Sequence, residues 1–165
     1  MDDSDRRLPG AAPRVRQVAV PPAARALSTL ARIDYADTFV LDTGPDDRTP
    51  EEWARAILEG APVTVRTKLL LGWSAIGLKL VDDRSGRSVL GWAVRSSSPE
   101  FVLLGADSRI GMPGELLFKS GHALQFATFV QQDNLVARAV WAATEPAHVR
   151  VVRQVLEQAG RRILP

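Results

Sequence analysis

Apolar positions along this chain change period twice, from two to about four and back to two, before a last stripe spaced three and four apart. Residues 36–42 alternate, with Phe39 and Leu41 on one face, which predicts a first strand. A turn at Gly44-Pro45-Asp46-Asp47 leads to a helix start. Thr49 is its cap, Pro50 its first residue and Glu52 the reciprocal partner of a capping box. Trp53, Ile57 and Leu58 form that helix's apolar stripe, and Gly60 ends it. Pro62 opens a second helix, in which Val65, Leu69 and Trp73 recur every four residues.

From Gly77 the period returns to two. Asp82-Asp83-Arg84-Ser85-Gly86 is turn material, and strands are predicted at 90–95, 101–107, 114–120, 123–131 and 135–142. With 36–42 these make six, and 77–81 would be a seventh. The junctions Ser98-Pro99-Glu100, Gly111-Met112-Pro113-Gly114, Ser120-Gly121-His122 and Gln132-Asp133-Asn134 suit hairpins. No helix is predicted between these strands, so the pattern is an antiparallel meander. The final helix is predicted to start after Thr144, with Pro146 in its first turn. Val149, Val152, Leu156, Ala159 and Ile163 share one face, and Arg161 and Arg162 suit the negative end of its dipole. A stripe this long needs a wide partner surface, and the sheet supplies it.

The order of elements therefore predicts an α+β fold: a curved antiparallel sheet of six or seven strands wrapped round a long C-terminal helix, with two short helices after strand one. Residues 1–25, broken by Pro9, Pro13, Pro21 and Pro22, read as a flexible leader. Residues 26–165 read as a single domain. Val18 and Val20 could fasten the leader to the body.

This order resembles the helix-grip fold of the START and Bet v 1-like superfamily, also called the polyketide cyclase and lipid-transport group. The resemblance covers residues 34–164. A looser likeness, to small actinobacterial-type members of that group, rests on two stretches. One is Leu104-Gly105-Ala106-Asp107-Ser108. The other is Val140-Trp141-Ala142 followed by Pro146-Ala147-His148-Val149-Arg150. The resemblance implies a hydrophobic cavity between sheet and helix that takes lipids, polyketides or other apolar molecules. It carries over no catalytic residue.

Composition narrows the chemistry. Apolar residues make up 45% of the 165 and charged residues 24%, as in an ordinary globular domain. There is no Cys, which removes disulfides and thiolate chemistry. Six Arg against three Asp give residues 1–32 a net +3, so the rest of a chain of net charge +2 is near −1. A folded basic stripe of the kind nucleic acid needs is not in the pattern. No apolar run reaches the length of a membrane span, and the N-terminus lacks a secretory apolar region. A cytoplasmic protein is the expectation. No cofactor is implied, and no His/Asp/Glu spacing suits a metal.

The candidate binding residues are Arg138, Trp141, Phe126, Phe118, Phe101 and Leu103, with Asp107, Glu115, His122 and Tyr35 as candidate polar groups. Arg138 stands in an otherwise apolar run, and on a strand it would share a face with Val136 and Val140. Buried, it would need a carboxylate or an anionic ligand; Asp107 and Glu115 are the nearest carboxylates in the meander, and Arg95 and Arg109 are further cations. Of the two His, His122 falls in a turn. His148 falls in the predicted first turn of the last helix, where the dipole would favour the neutral ring. Three functions follow: binding of a small apolar or aromatic molecule, a polyketide cyclase or dehydratase-like enzyme in the same cavity, or an interaction domain with a filled cavity that pairs as a homodimer.

Overall fold

The computed structural model describes residues 14–82 and 84–165. The part of the expected leader before residue 14, with Pro9 and Pro13, lies outside them, as does Asp83 of the expected turn. The strands are β1 (Val15–Val18), β2 (Tyr35–Leu41), β3 (Leu78–Lys79), β4 (Ser88–Val89), β5 (Trp92–Ser97), β6 (Phe101–Ser108), β7 (Gly114–Lys119) and β8 (Leu124–Val130). The helices are α1 (Pro22–Arg25), α2 (Pro50–Leu58), α3 (Val63–Ala75) and α4 (Leu135–Ile163). The sheet runs β1-β2-β8-β7-β6-β5-β4, and β3 pairs with β6. Every pairing is antiparallel. This is the α+β architecture expected, a curved sheet wrapped round a long C-terminal helix.

Three local expectations are corrected. Residues 135–142 are not a strand but the opening turns of α4. Asn134 caps that helix by accepting from the Ala137 N–H at 2.8 Å. Ala137 and Trp141, four apart, are the buried pair of its first three turns. The helix also runs through Pro146 instead of starting there. Proline cannot donate to the Ala142 carbonyl, but Ala142 and Pro146 are both exposed, so water can take the free acceptor. Finally, the strand expected from residue 90 begins at Trp92. Leu90 and Gly91 both have positive φ, 46° and 87°, and form the two-residue turn between paired Val89 and Trp92.

Part of the segment expected as a leader holds β1 and α1. β1 pairs along β2 with Val15 opposite Leu41 and Val18 opposite Thr38. α2 starts as the sequence requires: Thr49 Oγ1 accepts from the Glu52 N–H, and Glu52 accepts from the Thr49 N–H.

Both faces of the sheet are covered. The concave face carries Phe39, Leu41, Val102, Leu104, Leu116, Phe118, Leu124 and Phe126, packed against Trp53 and Ile57 of α2, Leu69 of α3, and Leu156 and Ala159 of α4. The convex face carries Leu103, Leu117, Ala127 and Phe129, covered by Val20, Ala24, Leu27, Leu30 and Ile33. A third cluster, Met112, Val130, Ala137 and Trp141, closes the end under the start of α4. Among the described residues no helix is long and apolar enough to cross a membrane.

Candidate functional site

Between α3, α4 and the concave face lies a partly open cleft. Leu116, Phe118 and Phe126 form its floor, Ile57 and Leu58 of α2 with Leu69 and Trp73 of α3 one wall, and Val151, Val152, Val155 and Leu156 of α4 the other. His148 is the one ionisable side chain among the described residues that line it. The space within it is about 60 Å³.

The polar end is built by β2 and α4. Strand alternation puts Tyr35 and Asp37 on the same face as Phe39 and Leu41, so an acid is carried into the core. Asp37 is only 2% exposed. Its Oδ2 accepts from the Tyr35 hydroxyl at 2.7 Å and lies 2.9 Å from His148 Nε2. With Asp37 as the acceptor, Nε2 carries the proton of the imidazole. Asp37 Oδ1 is buried without a partner, as is Oγ1 of Thr128, the residue opposite Asp37 on β8. Trp141 leans on Tyr35 with ring centroids 4.8 Å apart and on His148 at 5.1 Å. Burial, and after it the hydrogen bond to Asp37, push the Tyr35 hydroxyl well above the usual tyrosine range. Helical spacing places His148 one turn before Val151 and Val152, so the imidazole meets the apolar wall directly.

The sequence-derived candidates separate into different places. Phe118 and Phe126 lie on the cleft floor with ring centroids 4.9 Å apart. Tyr35 and Trp141 belong to the polar end. Phe101 and Leu103 point to the convex side and pack with Leu117 and Phe129, since their strand parity is opposite to that of Leu104. Glu115 is also convex and fully buried. It accepts hydrogen bonds from the hydroxyls of Ser28 and Thr29 and from the Thr29 N–H, and so fastens the covering segment. Asp107 is exposed and pairs with Arg95 at 3.2 Å, also outside the cleft. The Arg95 side chain crosses Gly105, where a β-carbon would fall 1.7 Å from its Nε. His122 is exposed in the β7–β8 turn, and Arg109 is exposed beyond β6. Arg138 is exposed on α4, because a helical residue next to buried Ala137 faces away from the sheet. The Asp107 or Glu115 partnership considered for it does not form.

Sequence reasoning missed the Asp37–His148 pair. One signal was present, an Asp on the apolar face of a strand. The other partner is 111 residues away, and its helical register depends on a helix that starts at Leu135. His148 lies well inside α4, so the helix N-terminus does not act on it.

Compared with known proteins, the chain matches no family model, no curated protein and no solved structure. At the general level of architecture, a curved antiparallel sheet wrapping a long C-terminal helix is the helix-grip arrangement.

Proposed function

We propose that this chain is a small-ligand binding protein of the START and Bet v 1-like type, holding an apolar or aromatic molecule between the sheet and α4. The observation that carries this reading is the composition of the cleft: aliphatic and aromatic side chains from the sheet, α2, α3 and α4, with one ionisable group, His148, at one end. The cleft's volume of about 60 Å³ is below the roughly 150 Å³ that takes a benzene ring. A ring therefore fits only if a wall moves. α3 is that wall, because Leu69 is its one buried residue. The small volume also favours a second reading, an interaction domain whose cleft is filled by its own side chains.

Native mass spectrometry of the purified protein separates the two. A co-purifying apolar mass, released on denaturation, is expected for the binding protein. No such mass, together with no response of tryptophan fluorescence to added toluene, leaves the filled-core reading.

A further inference from the structure

The ligand class can be taken further, on the reading that the cleft is a binding site. His148 is held from behind: Asp37 takes Nε2, Trp141 packs on the ring, and Tyr35 meets it edge-on at 6.1 Å between centroids. Asp37 is in turn held by the Tyr35 hydroxyl. The imidazole is thus fixed in place, and in its neutral form the bond from Nε2 to Asp37 leaves Nδ1 as the free lone pair. Nδ1 makes no hydrogen bond among the described residues, yet the ring lines the apolar cleft.

We infer that His148 Nδ1 is the recognition point of the cleft and that the ligand is a small hydroxylated apolar molecule, of the size of one ring, whose O–H donates to it. The small size follows from the cleft's volume of about 60 Å³, which a single ring already exceeds, so that even one ring needs α3 to move outward. The requirement for a donor comes from the orientation that Asp37 imposes. An apolar ligand without a donor would fill the cleft but leave Nδ1 covered and unpaired, the situation that makes a hydrogen-bonding site reject analogues.

Phenol and toluene test this, because they match in shape and differ in the donor. Dissociation constants are measured by tryptophan fluorescence for the intact chain and for His148→Leu. We expect the substitution to weaken phenol about tenfold relative to toluene, the equivalent of one buried hydrogen bond. Toluene bound by both proteins with an unchanged phenol-to-toluene ratio overturns the inference and leaves the cleft standing. Failure of the intact chain to bind toluene or phenol overturns both. A measurement without substitution covers a variant that does not fold. The chain has two His, so the imidazole nitrogen resonances are readily assigned. Phenol, and not toluene, is expected to shift Nδ1 of His148. An unmoved resonance in phenol-saturated protein overturns the proposal.

Discussion

Tyr35 shows how much one position depends on its surroundings. It is the only Tyr in the chain, and burial followed by the Asp37 hydrogen bond raises its hydroxyl pKa. The unfolded chain gives up that proton near pH 10, whereas the folded one retains it. The stability Tyr35 contributes is therefore complete below about pH 10 and is lost as pH rises above it. Thermal melts from pH 9 upward should show the intact chain losing stability more steeply than Tyr35→Phe, with tyrosinate absorbance appearing together with unfolding. Parallel slopes would mean that the hydroxyl is not protected. The identity of Tyr35 as a candidate polar group was legible in the sequence. Its bond to Asp37 follows once both are given the same strand face, but the third member, His148, belongs to an element folded back over them.

α2 and α3 are neighbouring helices with opposite relations to the core. α2 buries Pro50, Trp53, Ala54, Ile57 and Leu58 and has a complete capping box, whereas α3 buries Leu69 alone and has no side-chain cap. Helices with little burial open at low free energy. Amide exchange in α3 is expected to be at least about tenfold faster than in α2 under native conditions; equal protection would remove α3 as the wall that admits a ligand. At this scale the sequence was legible wherever a local signal was strong. Thr49-Pro50-Glu51-Glu52 starts a helix by its own chemistry, and the turn residues between the strands from Trp92 onward set the order of a meander. The failure at 135–142 has a physical cause. Val136, Ala137, Ala139, Val140 and Trp141 fit either period over so short a stretch, and Pro146 looked like a start because its missing donor is harmless there. With Ala142 and Pro146 both exposed, water can take the acceptor that Pro146 leaves free in the middle of α4.

Across the whole molecule, the sheet is a partition with a core on each side. Leu117 and Phe118 are consecutive on β7, face opposite ways, and are 1% and 0% exposed. If both cores belong to one cooperative unit, Leu117→Ala should cost about 2–5 kcal/mol and Phe118→Ala about 3–5 kcal/mol, each moving the same single transition in denaturant melts followed by circular dichroism and by tryptophan fluorescence. A Leu117→Ala protein that keeps the main transition and loses only the segment over the convex face would show that the cover folds separately. Alternation, capping and turn residues determined the strands from β5 to β8, the helix pair and the amphipathic end of α4, because each of those signals acts between residues a few positions apart. Three things were decided only by the tertiary structure: the convex cover locked by Glu115, the continuation of α4 back to Asn134, and the meeting of Asp37 with His148. Each depends on burial supplied by a distant segment, and burial is not a property that neighbours in sequence can confer.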